Sequence, residues 1–128
     1  LSIGVGAAYA ARLQKSDRRV FVLISDAECN EGSIWEAIMF AAQHHYDNIV
    51  AIVDSNKIQA IDRTDDIINL KPLSRKAVDF GWTVRDIDGH DYRQIEEALG
   101  AVPFEKRNPF SRTSTHSPLL WNSVRFVR

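Results

Sequence analysis

The chain has 128 residues, 45% hydrophobic and 26% charged, with a formal net charge of -1, which fits one α/β domain with a core of its own. No run approaches the ~20 apolar residues of a membrane helix, and no N-terminal signal pattern is visible. A single cysteine excludes an internal disulfide and suits a reducing, cytoplasmic compartment.

Residues 2 to about 15 read as a helix rich in small residues: Gly4, Gly6, Ala7, Ala8, Ala10 and Ala11. Small side chains allow a close approach to a neighbouring element or a ligand. After a turn at Asp17-Arg18-Arg19, Val20 to Ile24 reads as a strand that runs into Ser25-Asp26-Ala27-Glu28. Asn30 or Ser33 can cap the next helix, which runs to about His45 with Ile34, Ile38, Ala41 and Ala42 toward the sheet. Asp47-Asn48 ends it, and Ile49 to Val53 forms a second strand that runs into Asp54-Ser55-Asn56. Continuous apolar runs of this kind predict parallel strands covered on both faces, and strand–helix–strand predicts a right-handed βαβ unit.

Residues 57 to 72 read as a long polar loop, and Pro72 starts a short helix that ends near Gly81. Trp82 to Ile87 alternates as a third strand, followed by a turn at Asp88-Gly89-His90. Asp91 with Gln94 predicts a capping-box variant for a helix that ends near Gly100. From Ala101 the pattern degrades: Pro103, Pro109 and Pro118 interrupt any helix, and no apolar run appears before Leu119-Leu120-Trp121. All 17 acidic residues lie at or before Glu105 against 11 Lys and Arg, a balance of -6, whereas the last 23 residues carry five cations and no acid. Without repeated aromatic interleaving, that basic end reads as a solvated tail and not as a nucleic-acid or membrane surface.

Chemistry concentrates where the first two strands end. In open α/β sheets, ligands bind beyond the carboxyl ends of the strands. Carboxylate and carboxamide groups there are hard oxygen donors, suited to Mg2+ or Ca2+. Mg2+ takes one or two protein carboxylates and fills its shell with phosphate and water oxygens. The residues alone therefore predict a metal–phosphate site. Cys29 reads as an inert thiol, and none of the four histidines has zinc-ligand spacing.

The segment Ser25 to Ser33, followed by Asp54-Ser55-Asn56-Lys57-Ile58 with Asp26 and Asn56 thirty residues apart, resembles the thiamine diphosphate motif Gly-Asp-Gly…Asn. The flanks Ile34-Trp35-Glu36-Ala37, Ala41-Ala42, Asp62-Arg63-Thr64, Asn69 to Leu73, Phe80-Gly81-Trp82 and Asp88 to Asp91 narrow the likeness. Together, over about residues 1–105, they resemble the N-terminal section of transketolases. The resemblance implies part of an α/β fold with helices on both faces of a parallel sheet. It implies thiamine diphosphate and Mg2+ as cofactors and transfer of a two-carbon ketol unit between sugars or sugar phosphates. Asp26, Asn56 and the Ile58 carbonyl would hold the metal. Ser25 and Ala27 would lie against the phosphates, and Glu31 would join a carboxylate network at the subunit contact that serves catalysis. A C-terminal section or second subunit would complete the site, in a dimer, so the chain alone is expected to be inactive.

Three departures qualify the likeness. Ser25 and Ala27 stand where the motif has glycine, and a Cβ at Ala27 is unfavourable if that turn needs φ > 0. The chain has no initiating Met and opens in a helix, which reads as a fragment. Residues 106–128 lack the family's glycine-rich segment, and a reading-frame change near Lys106 or Arg107 would produce such a non-native tail. Deoxyxylulose-phosphate synthase and dehydrogenase first components share the core motif. The rivals are a degenerate, non-catalytic subunit and a Mg2+-binding phospho-receiver module, which would use Asp26, Asp54 and Asp88 but lacks a convincing strand-end Lys.

Overall fold

The computed structural model describes residues 1–101 and the backbone of residues 120–125. In chain order these form α1 (Ser2–Leu13), β1 (Val20–Ser25), a 3-10 turn (Glu28–Asn30), α2 (Gly32–Gln43) and β2 (Ile49–Asp54). There follow α3 (Thr64–Ile67), α4 (Leu73–Asp79), β3 (Thr83–Asp88), α5 (Tyr92–Gly100) and β4 (Leu120–Arg125). The four strands make one parallel sheet in the order β1-β2-β4-β3. The expected βαβ unit is present as β1–α2–β2. From β2 the chain steps past one position to β3 and returns with β4 into the gap.

Handedness then distributes the helices. A right-handed connection from β1 to β2 or from β2 to β3 puts its helix on one face, and the backward step from β3 to β4 puts α5 on the other. The core agrees. Ile24, Ile49, Ala51 and Val53 pack with Val5 and Ala8 of α1, Ile34, Ile38 and Ala41 of α2, and Ala77 of α4. Helices therefore flank both faces of a parallel sheet, as the sequence predicts.

Coverage of the strands is less even than their apolar runs imply. β2 is buried along nearly its whole length, but Phe21 is exposed on β1 and Leu23 is 68% exposed. The cause is position. β1 is an edge strand, and α1 covers only the face that carries Val22 and Ile24.

Packing explains part of the small-residue pattern of α1. A Cβ built on Gly4 runs into Cγ2 of Val22, a branched side chain that cannot turn aside. At Gly6 the same Cβ meets nothing within 4 Å. Gly4→Ala is therefore expected to destabilise the fold by ~1–3 kcal/mol through overpacking. Gly6→Ala is expected to stabilise it by ~0.5–1 kcal/mol through helix propensity. Urea unfolding of the two variants checks the opposite signs.

Several boundaries shift from expectation. α1 stops at Leu13, where the Arg12 guanidinium donates to the His44 carbonyl at 2.6 Å and ties the ends of α1 and α2 together. Glu31, not Asn30 or Ser33, is the N-cap residue of α2, and its side chain makes no capping bond. Asp91 does cap α5, accepting from the Arg93 and Gln94 backbone N–H groups. The expected loop 57–72 contains α3 and a bridge between Ile58 and Arg63. Leu120 and Trp121 of the late apolar run open β4. Leu119, Pro103, Pro109, Pro118 and the charge switch from Lys106 to Arg112 lie outside the described residues. Among the described residues, no helix is long and apolar enough to cross a membrane.

Candidate metal centre at the strand ends

Parallel pairing of β1 with β2 sets Ser25 opposite Asp54. One residue further on, the Asp26 N–H donates to the Asp54 carbonyl at 3.0 Å. Two turns about thirty residues apart in sequence thus meet at one edge of the sheet. The second turn closes over the first, because the Lys57 N–H donates to Asp26 Oδ2 at 3.1 Å. Asp26 ends up 2% exposed.

Burial on this scale opposes charge. Burial pushes the Asp26 carboxyl above its ordinary range, and the neighbouring Asp54 adds to the rise. The Lys57 and Ala27 N–H groups and the Thr64 hydroxyl act in the other direction. Thr64 is 6% exposed, and its hydroxyl makes no hydrogen bond of normal geometry. Asp26 Oδ1, Asp54 Oδ1 and Thr64 Oγ1 are all buried oxygens without a partner. Buried polar atoms are normally paired, so an orphaned carboxylate oxygen of this kind can accept a further partner, a cation among them.

The other donors are neutral oxygens. Asn56 donates from Nδ2 to Asp54 Oδ2 at 3.2 Å, and its Oδ1 accepts the Ile58 N–H at 2.9 Å. The Ile58–Arg63 bridge is closed by Thr64 N–H to the Lys57 carbonyl and by Gln59 N–H to the Asp62 carbonyl. Neither bond uses the Ile58 carbonyl. Among the described residues no three His, Cys, Asp or Glu side chains cluster as a metal site. Carboxylate, carboxamide and carbonyl together form a hard donor set that fits Mg2+ and does not suit a soft metal. A small cavity at the end of β2 is lined by Val53, Ser55, Lys71, Leu73, Ser74 and Asp86.

The two residues that replace glycine are accommodated. Ala27 has φ -66° and ψ -38°, ordinary right-handed backbone, so its Cβ carries none of the penalty that a positive φ would impose. Ser25 and Glu28 form a reciprocal capping box. The Ser25 hydroxyl accepts the Glu28 N–H at 3.1 Å, and the Glu28 carboxylate accepts the Ser25 N–H at 2.7 Å. That bond engages the hydroxyl as an acceptor and leaves its proton for another partner.

Other residues stand apart from this centre. Cys29 is fully buried, and burial, with Asp26 and Glu28 nearby, pushes its thiol up to about 12, in keeping with an inert role. Glu31 is exposed at the head of α2, and no hydrogen bond or ion pair among the described residues links it to Asp26 or Asn56. Asp54 and Thr64 belong to the centre although neither is among the ligands that the family resemblance implies. Asp54 has a signal, its place at a strand end. Thr64 belongs to the flank Asp62-Arg63-Thr64 that narrows the family likeness, but only the 58–63 bridge carries it to Asp26.

The family described as transketolase, thiamine diphosphate binding domain, matches residues 5–113. An apulose-4-phosphate transketolase subunit of Phocaeicola vulgatus is 36% identical over 109 residues, which is 85% of this chain and 39% of that protein. The 6-deoxy-6-sulfo-D-fructose transketolase subunit SqwG of a Clostridium species is 40% identical over 106 residues, 83% of this chain and 38% of its own length. A crystal structure of transketolase from Campylobacter jejuni superposes with a TM-score of 0.76 at 27% identity, covering 94% of this chain and 18% of that one. The chain thus spans under two fifths of the curated relatives named here. It belongs to the transketolase family, in the part that forms the thiamine diphosphate-binding domain.

Proposed function

We propose that this chain holds the metal–diphosphate end of thiamine diphosphate in an enzyme that transfers two-carbon ketol units between sugars or sugar phosphates. The observation that carries the reading is the buried Asp26 carboxylate, with Oδ1 unpartnered, beside Asp54 and Asn56. In this reading Asp26, Asn56 Oδ1 and the Ile58 carbonyl ligate Mg2+. The turn Ser25-Asp26-Ala27 lies along the diphosphate. When bound, thiamine diphosphate supplies the carbanion chemistry, and the protein supplies binding and orientation.

The rest of the site belongs to another section or subunit. Relatives of this chain include proteins named as single subunits of a transketolase, and this chain spans only part of their length. An apolar groove between α1 and α2, lined by Val5, Gly6, Tyr9, Glu36, Ala37 and Phe40, supports a partner contact, as do exposed Ile3, Leu13 and Met39 nearby. Glu31, exposed at the head of α2, serves as the carboxylate of that contact in a dimer. A reducing, cytoplasmic setting suits the one buried thiol. The phospho-receiver alternative gives way to the family membership. The degenerate-subunit alternative rests on Ala27 and on the tail; the ordinary φ of Ala27 weakens the first, and the tail, apart from the backbone of residues 120–125, lies outside the described residues.

The assay measures ketol transfer from a ketose donor to an aldose acceptor with thiamine diphosphate and Mg2+. The chain alone is expected to be inactive, and addition of the polypeptide that completes it is expected to give turnover. Asn56→Ala should lower that turnover at sub-saturating Mg2+ by at least about tenfold, or ~1.4 kcal/mol. Turnover by the chain alone contradicts the incomplete-site reading. Turnover of the completed enzyme with no divalent cation contradicts the metal reading.

A further inference from the structure

Asn56 poses a problem of orientation that its own sequence position does not solve. A side-chain amide has an acceptor end and a donor end of nearly equal shape. A cation accepts only the oxygen. An amide free to turn would present its NH2 group to the metal half the time.

We propose that Asp54 is a positioning residue that fixes the polarity of the Asn56 amide and keeps its carbonyl oxygen available to the cation. This rests on the reading of the metal centre given above. Asp54 Oδ2 lies 3.2 Å from Asn56 Nδ2. An ionised carboxylate can only accept, so only the NH2 end can face it. From the other side the Ile58 N–H reaches Asn56 Oδ1 at 2.9 Å, and a donor there accepts only the oxygen end. The two contacts agree, and a flipped amide would lose both. A carbonyl oxygen has two lone pairs, so the bond from Ile58 leaves one for a metal.

Asp54 is itself rigidly placed. It is the last residue of β2, paired in register with Ser25, and its carbonyl accepts the Asp26 N–H. Its second oxygen, Oδ1, is buried and unpartnered, as are Asp26 Oδ1 and Thr64 Oγ1. Groups that orient metal ligands typically change metal affinity 10–100-fold when removed.

Mn2+ binding, followed by electron paramagnetic resonance on the full chain, tests this. Asp54→Ala is expected to weaken Mn2+ binding ~10–100-fold. Asp54→Asn can turn its own oxygen toward Asn56 Nδ2, so it is expected to recover most of the loss. In the unsubstituted chain, the two Asn56 side-chain amide protons should exchange with water more slowly than those of an exposed asparagine. Wild-type affinity in Asp54→Ala overturns the proposal and leaves the metal centre standing. Loss in Asp54→Asn as deep as in Asp26→Ala makes Asp54 a ligand and overturns the positioning role. No Mn2+ binding by the unsubstituted chain overturns the metal reading and this inference with it. Should Asp54→Ala fail to fold, free exchange of the Asn56 amide in the unsubstituted chain overturns the proposal alone.

Discussion

Asp26→Ala is expected to lower cation-dependent affinity for thiamine diphosphate by at least ~100-fold while the sheet stays intact. Without this carboxylate, the proposed ligands are an amide and a backbone carbonyl, both neutral, and Mg2+ gives up its water reluctantly to such donors. The isosteric Asp26→Asn separates binding from stability. Burial raises the Asp26 pKa in the folded state. A raised carboxylate pKa contributes stability that is present below the unfolded value of 3.8 and is lost as pH rises through the folded value. Above that folded value the cation-free protein keeps an ionised carboxylate where burial disfavours it. Asp26→Asn should unfold at the same or a higher temperature than the parent without Mg2+, and should gain nothing when Mg2+ is added. Thermal unfolding with and without Mg2+, between pH 5 and 8, checks both statements. A Mg2+-dependent rise in Asp26→Asn equal to the parent's would exclude Asp26 as a ligand.

Trp82→Ala is expected to destabilise the fold by ~3–5 kcal/mol, a large share of the ~5–15 kcal/mol that a domain possesses. Trp82 is 2% exposed, and its indole N–H donates to the Ile38 carbonyl of α2 at 3.0 Å. Its backbone N–H closes the end of α4 on Ala77. One residue thus joins α2, α4 and the start of β3. Trp82→Phe should be milder, since it keeps most of the apolar volume and loses the N–H. Urea unfolding provides the comparison. A change in Trp82→Ala of only ~0.5 kcal/mol, the size of a surface substitution, would mean that this junction is not packed.

The parts of the fold that are readable in the sequence are those governed by local pattern. β1 and β2 announce themselves as apolar runs, and Asp91 with Gln94 marks the start of α5, because strand burial and helix capping act over a few residues. Parallel pairing of β1 and β2 follows from the same runs and brings Asp26 and Asn56 to one edge. What is not readable depends on contacts distant in sequence or on backbone angles. The open face of β1 follows from its place at the sheet edge, which no run of Val and Leu reveals. The insertion of β4 between β2 and β3 is a topological choice made by residues more than thirty positions apart. Ala27 looks unfavourable because the glycine it replaces suggests a positive φ, and the backbone there is right-handed instead. Ser25 and Glu28 carry a capping-box spacing that explains the serine without reference to any ligand. Thr64 reaches the centre only after the 58–63 bridge forms.

In the proposed function, a divalent cation held by Asp26 recruits the cofactor's diphosphate to this strand edge. Calorimetric titration of the folded chain with thiamine diphosphate, with and without Mg2+, tests it most directly. Binding is expected to be weak, to appear only with Mg2+ and to tighten when the completing polypeptide is present. Equal binding without a divalent cation, or no binding with Mg2+ and the completing polypeptide both present, would contradict it.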